Sequence, residues 1–166
     1  TVLAKAPAEM TQAGLGDLMS KPVSDTDWWL ANELEGTGYS ELPSRVVEHA
    51  MTKALGSASG LLEGRPEAHG ALGEALVLSG VAMVVAGSSA PASGGEHLLS
   101  HLWDMERLVH GAHTRLHGAQ VGVATCISAA IYQRLLRLEN PQFQQPAEWS
   151  REEKRITSEF GPLAEV

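Results

Sequence analysis

The sequence predicts an all-α fold, a helical bundle, and two observations carry that prediction. Outside Val2 and Leu3 the chain lacks a sustained alternation of β-branched and polar residues, which half-buried strands require. Apolar residues instead recur with helical spacing along most of the 166 residues, and prolines and glycines divide the helical segments. We predict helices at about residues 12–21, 28–34, 43–55, 66–85, 96–109, 119–138 and 150–160.

Prolines, glycines and capping residues set the boundaries of the first three helices. Pro22 ends the first, because a proline removes a hydrogen bond to the preceding turn. Ser24, with Asp27 three residues later, predicts a capping box that opens the second helix, and Gly36 ends it. The third follows the 3.6-residue spacing of its apolar residues.

The fourth predicted helix contains the most apolar stretch of the chain, residues 71–86. Glycine, serine and glutamate interrupt this stretch, which is too short and too broken for a membrane span. It predicts a central buried helix, and we expect no membrane insertion. The fifth helix follows a loop of small residues, and Asn140 with Pro141 breaks the sixth. Ser150 and Glu153 predict a capping box for the last.

Charge and cysteine content exclude several classes of partner. Twelve lysines and arginines against 20 aspartates and glutamates give a formal net charge of −8, so nucleic acid and anionic membrane surfaces are not expected as main partners. Cys126 is the single cysteine, which rules out an intrachain disulfide and favours a cytoplasmic location. We expect its thiol to be a small buried group in a helix.

Three segments place a metal-ligating side chain beside glycine where a helical pattern opens. They contain Asp17, His97 and His117. Each residue alone suits an ordinary role, such as a helix cap or a surface histidine. Together, one carboxylate and two imidazoles are the ligand set of a divalent metal site. Three protein ligands leave a coordination position for substrate or water, which distinguishes catalytic zinc sites from structural ones.

His101 follows His97 by four residues, so both lie on one face of the predicted helix. Both could bind a metal, one could bind it while the other contacts substrate, or the pair could be structural. The arrangement found in zinc proteases, a glutamate directly after the first histidine, is absent because Glu96 precedes His97.

The combination resembles the sn-glycerol-1-phosphate dehydrogenases, which are related to glycerol dehydrogenase, dehydroquinate synthase and the iron-containing alcohol dehydrogenases. That subgroup carries Gly-Ser-Ser-Arg-Pro-Ala-Ser-Gly-x-Glu-His, and residues 87–97 read Gly-Ser-Ser-Ala-Pro-Ala-Ser-Gly-Gly-Glu-His. Its Gly-Asp and Asp-Trp pairs match residues 16–17 and 27–28, and its Leu-His-Gly-x-x-Val-Gly-Val segment matches residues 116–123. The resemblance spans about residues 13–136.

The resemblance implies a two-domain enzyme, with an N-terminal α/β domain for NAD(P) and a C-terminal helical domain for metal and substrate. Residues 1–166 then correspond to the C-terminal domain, and the nucleotide-binding domain is absent from this chain. The family's metal ligands fall on Asp17, His97 and His117, and His101 matches a position near the substrate, as a candidate catalytic residue. Zinc is the expected metal, with nickel and iron as alternatives.

The implied reaction interconverts sn-glycerol 1-phosphate and dihydroxyacetone phosphate with NAD(P), so the expected partner is a small polyol phosphate. We also expect a homo-oligomer, and no activity from this chain alone. Ala90 stands where the subgroup has arginine, a natural phosphate partner, which leaves phosphorylation of the substrate open. Another alcohol dehydrogenase of the same superfamily, including one for glycerol, and a non-catalytic helical module that has lost its metal remain alternatives.

Overall fold

The computed structural model describes residues 2–111, 115–142 and 148–161. All regular elements in these residues are helical, so the predicted all-α bundle is confirmed. A 3-10 turn at Leu3–Lys5 precedes eight α-helices. They are α1 (Ala8–Met19), α2 (Lys21–Glu35), α3 (Leu42–Gly56), α4 (Ala58–Leu62), α5 (Pro66–Ala86), α6 (Gly95–His110), α7 (His117–Leu135) and α8 (Trp149–Phe160).

The boundary between α1 and α2 differs from the prediction. Pro22 lies in the first turn of α2, where the missing N–H of a proline costs no hydrogen bond. The proline therefore opens α2, and Ser24 is a buried residue inside the helix instead of its N-cap. The predicted capping box is wrong, whereas the predicted end at Gly36, which adopts a φ of 68°, is confirmed.

Four further details differ from the sequence prediction. The capping box predicted for the last helix is wrong, because α8 begins at Trp149 and makes no side-chain capping hydrogen bond. Residues 58–62, for which no helix is predicted, form α4. Helix α7 begins at His117, two residues earlier than predicted, so this histidine is its first residue. Cys126 is exposed on α7, and the expectation of a buried thiol is wrong.

The core lies where α5 packs against α3, with α1 and α4 beside them. Small side chains dominate this core. Because the distance between packed helix axes depends on the size of the side chains at the contact, small side chains allow close helix packing. Leu18 is fully buried there and anchors the last turn of α1. The buried members are Leu18, Ala50, Ala54, Leu61, Ala68, Ala71, Leu72 and Ala75.

Helix α5 is buried on one face and exposed on the other. Ala71 and Ala75 face the core, whereas Val77, Val81 and Val84 are exposed, so the prediction of a central buried helix holds for one face alone. By length and composition, α5 is the one helix of the described residues that could cross a membrane. The core helices of soluble proteins pass the same test.

Glycines let α1 and α7 cross with their backbones in contact. A Cβ built on Gly118 would overlap the carbonyl oxygen of Ala13, and one built on Gly16 would overlap the carbonyl oxygen of Gly118. A Cβ on Gly122 would lie 3.0 Å from the Cα of Gly16. Only glycine fits at such a contact without moving a helix. The crossing places the last turn of α1 beside the first turn of α7.

We expect Gly118→Ala to lower the free energy of unfolding by at least about 2 kcal/mol, because added atoms in a filled contact force the backbones apart. Gly70→Ala is the matched control, since Gly70 lies within α5 with open space around it. There, alanine should raise the free energy of unfolding by up to about 1 kcal/mol through its helix propensity. Urea unfolding followed by circular dichroism measures both changes. Unchanged stability of Gly118→Ala would contradict the close crossing.

Candidate metal centre

Asp17, His97 and His117, the predicted metal ligands, come together from three helices. Asp17 lies in the last turn of α1, His97 in the first turn of α6, and His117 is the first residue of α7. Each offers one ligand atom, and the three atoms all lie within 4.8 Å of one another. A carboxylate and two imidazoles this close can share one divalent cation after small side-chain movements.

A carboxylate from α2 fixes the start of α6, and with it His97. Oδ2 of Asp27 accepts a 2.5 Å hydrogen bond from the backbone N–H of Gly95, the first residue of α6. Tyr132 of α7 donates its hydroxyl proton to the other oxygen of Asp27. Asp27 therefore caps α6 and not α2. The sequence does not reveal this role, because the capped residue lies 68 positions away.

Lys21 holds the second oxygen of Asp17. Its Nζ lies 3.3 Å from Oδ2 of Asp17 and also donates hydrogen bonds to Ser20 Oγ and to the carbonyl oxygen of Ala92. Burial raises the pKa of Asp17, but the hydrogen bond from His97 and the contacts with Lys21 lower it more, so the net shift is downward. Lys21 is not among the site residues predicted from the sequence, where its four-residue spacing from Asp17 is the one local signal.

Glu96 holds the ring of His97 from its other side. Oε1 of Glu96 accepts hydrogen bonds from Nδ1 of His97 at 2.7 Å, from Ser24 Oγ at 2.8 Å and from the backbone N–H of Gly94 at 2.9 Å. The Nε2 atom of His97 lies 3.5 Å from Oδ1 of Asp17. Burial lowers the pKa of His97, but hydrogen bonds to the two carboxylates raise it to about 9. Without metal, His97 is therefore protonated at neutral pH and bridges two carboxylates. Sequence analysis did not single out Glu96.

His117 is a neutral and accessible imidazole. Burial of part of the ring, and then the positive charge of His97, lower its pKa below the ordinary value. Its Nδ1 lies 3.2 Å from Ser100 Oγ, whereas its Nε2 has no hydrogen-bond partner among the described residues. The ring centroid lies 5.2 Å from that of His97. A neutral imidazole needs no deprotonation before it binds a metal.

His101 lies outside the three-ligand cluster but next to it. Its side chain is exposed, and its ring stacks on that of His117 with centroids 6.0 Å apart and planes 25° apart. On the shared face of α6, His97 is therefore the buried member of the pair and His101 the exposed one. This position on the rim suits contact with a small molecule at the open side of the cluster.

A surface pocket of about 300 Å³ adjoins the cluster, which is enough for a small molecule. Its polar lining is Asp17 and His117, and its remaining lining is apolar or glycine. These remaining residues are Met10, Ala13, Gly14, Leu76, Leu116 and Gly118.

Comparison with known proteins gives relatives that share one name. No protein-family model matches the chain. A glycerol-1-phosphate dehydrogenase (NAD(P)+) of Haloquadratum walsbyi is 42% identical over 131 residues, which cover 79% of this chain and 36% of the relative. Proteins of the same name from Halalkalibacterium halodurans and Geobacillus stearothermophilus are 37% and 36% identical over 142 and 156 residues, covering 86% and 90% of this chain.

The chain spans little more than a third of the length of these relatives, 36–39%. That share fits one domain of a two-domain enzyme. The relatives confirm the resemblance drawn from the motifs around residues 16–17, 87–97 and 116–123, because the matches cover most of the chain at 36–42% identity. Over most of its residues the chain is therefore similar to a little more than a third of the length of glycerol-1-phosphate dehydrogenases.

Proposed function

We propose that residues 1–166 are the C-terminal, metal- and substrate-binding domain of an NAD(P)-linked dehydrogenase that interconverts sn-glycerol 1-phosphate and dihydroxyacetone phosphate. The observation that carries the proposal is the convergence of Asp17, His97 and His117, with ligand atoms within 4.8 Å, from three helices. The relatives are named glycerol-1-phosphate dehydrogenases (NAD(P)+), which supports this substrate and cofactor. NAD(P) would be bound by a domain outside this chain. The cytoplasmic location and the homo-oligomer stay predictions.

The donor set fits zinc, and also nickel or iron, because all three accept mixed oxygen and nitrogen ligands. Asp17, His97 and His117 would hold a divalent cation, which would supply Lewis-acid polarisation of a hydroxyl or carbonyl oxygen of the substrate. Asp17 supplies an ionised oxygen that Lys21 orients, and His117 supplies a neutral nitrogen. His97 must first release a proton, while Glu96 keeps its ring in place. We assign His101, at the rim, to contact with the substrate.

Removal of one ligand should abolish tight metal binding. We expect the chain to bind one Zn²⁺ and His117→Ala to weaken this binding by more than about 100-fold. Loss of a ligand's hydrogen-bond partner alone costs about 10–100-fold in affinity, and loss of the ligand itself should cost more. His49→Ala is the control, because His49 is an exposed histidine of α3 outside the cluster and should leave the affinity unchanged. Competition with a chromophoric chelator measures the dissociation constants. Absence of binding even in excess metal would instead favour a helical module that has lost its metal.

Zinc affinity should rise with pH. The pKa of His97 is raised to about 9, so at neutral pH its proton must leave before the ion binds, and the bound state holds one proton fewer. The unprotonated fraction of a group with this pKa is about 1% at pH 7 and half at pH 9, so the apparent affinity should increase about fifty-fold between them. Calorimetry in two buffers of different ionisation enthalpy should report about one released proton. A pH-independent affinity would remove His97 from the ligand set.

Ala90 favours a second candidate, a dehydrogenase for glycerol or another unphosphorylated alcohol. Ala90 lines a pocket of about 360 Å³. Among the described residues that line this pocket, Asp27 is the charged one. A carboxylate does not attract phosphate, whereas an arginine at position 90 would. The two candidates share the metal site and differ only in the substrate.

Substrate preference separates these candidates. Because the relatives are named glycerol-1-phosphate dehydrogenases, we expect the polypeptide that joins this chain to a nucleotide-binding domain to show a kcat/KM for glycerol 1-phosphate at least about tenfold above that for glycerol. With alanine at position 90, this preference requires a charge-assisted phosphate contact of about 1.5–3 kcal/mol from a cation elsewhere in the enzyme. Reduction of NAD(P)+, followed by absorbance, measures both values. The chain alone is the control and should give no turnover. A preference for glycerol would replace the first candidate by the second.

A further inference from the structure

A chain of hydrogen bonds joins His117 to a carboxylate on the neighbouring helix. Ser100 and Asp104 belong to α6, and Gln120 belongs to the first turn of α7. Gln120 Nε2 donates to Asp104 Oδ1 at 3.1 Å, and Ser100 Oγ donates to Gln120 Oε1 at 2.8 Å. The same serine oxygen lies 3.2 Å from Nδ1 of His117. Ser100 is fully buried, so water does not compete for its hydroxyl.

The chemistry of the groups gives this chain one direction. An ionised carboxylate only accepts hydrogen bonds, so Asp104 requires the amide nitrogen of Gln120 to face it. The amide oxygen of Gln120 then faces Ser100 and accepts the one proton that the hydroxyl can donate. Toward His117, the serine oxygen can therefore act only as an acceptor. Nδ1 of His117 must carry the hydrogen, and Nε2 keeps its lone pair.

We propose that Asp104, Gln120 and Ser100 are positioning residues that hold His117 in the tautomer with hydrogen on Nδ1, so that Nε2 is the nitrogen available to a metal ion. The tautomer of a histidine is set by the hydrogen bond that its other nitrogen makes. The consequence for metal affinity rests on the proposed function, whereas the tautomer itself does not.

The ring of His97, the other histidine of the cluster, is also held by a hydrogen bond at Nδ1, but by a different residue. Glu96 accepts directly from Nδ1 of His97, so the Nε2 atom of that ring also faces the cluster. A metal-binding histidine whose second ring nitrogen is held by a hydrogen-bond acceptor has a fixed ring orientation and a more basic ligand atom. A single carboxylate therefore fixes the ring of His97, and a chain of three residues fixes the ring of His117, in each case with Nε2 available to a metal ion.

Nitrogen-15 NMR of the metal-free chain tests the tautomer directly. At about pH 8, above the ordinary imidazole pKa of about 6.5, His117 is neutral, and its two ring nitrogens have distinct shifts according to which carries hydrogen. We expect a protonated Nδ1 and an unprotonated Nε2, with the resonances assigned by their loss in His117→Gln. Hydrogen on Nε2 in the unmodified chain would overturn the proposal.

Substitutions along this chain of hydrogen bonds give a graded test. Ser100→Ala removes the acceptor, and we expect the His117 shifts to move toward the tautomer with hydrogen on Nε2. Asp104→Ala should move them partway, because Gln120 is then free to turn. Asp104→Asn keeps an acceptor oxygen and should restore most of the original shifts. Unchanged shifts in Ser100→Ala would overturn the proposal. Asp104 is only partly buried, so its variants test the chain even where Ser100→Ala fails to fold.

Metal binding supplies the second readout. Ser100→Ala should weaken Zn²⁺ binding by about 10–100-fold, as loss of a hydrogen-bond partner of a ligand does. Ser79→Ala, which removes the same atom from a buried serine of α5, should leave the affinity unchanged. If the His117 tautomer changes in Ser100→Ala as expected but neither the unmodified protein nor any variant binds zinc, the inference stands and the proposed function fails. If zinc binds and neither readout responds to Ser100→Ala, the inference fails and the proposed function stands.

Discussion

The contact between the backbones of α1 and α7 places Asp17 and His117, two of the three candidate metal ligands, side by side. Gly16 and Gly118 permit it, because a Cβ at either position would overlap a carbonyl oxygen of the other helix. Asp17 directly follows the first glycine, and His117 directly precedes the second. The close approach of the Asp17 and His117 backbones is therefore set by the packing of α1 against α7. Glycine costs helix stability at both places, so the close approach is the feature that it serves.

Positively charged groups balance the carboxylates of the cluster. Asp17 and Glu96 are two carboxylates that a protein does not hold close together unless cations accompany them. Lys21 contacts the first, and protonated His97 contacts both. A divalent cation bound as proposed would replace the positive charge of the His97 proton beside these two carboxylates.

Local sequence patterns predicted the all-α fold, most helices and the three side chains that the structure brings together. Each of these side chains lies beside a glycine or in a family motif within a few positions, so the signal is local. The roles of Lys21, Glu96 and Asp27 could not be predicted in this way, because their partners arise from tertiary packing. Asp27 is the clearest case, since its position three residues after Ser24 favours a cap of its own helix. The structure uses its carboxylate to cap α6 instead.

The cluster has a held side and an open side, and this asymmetry bears on the kind of site it can be. Lys21 donates a hydrogen bond to Oδ2 of Asp17, and Glu96 accepts one from Nδ1 of His97. Both supporting residues are buried. His117 and His101 are exposed, and the pocket adjoins the cluster on the side of His117. A structural metal site closes around its ion with a fourth protein ligand. Among the described residues the cluster offers three candidate ligands, and the pocket that Asp17 and His117 line lies next to it, an arrangement that suits a small oxygen ligand.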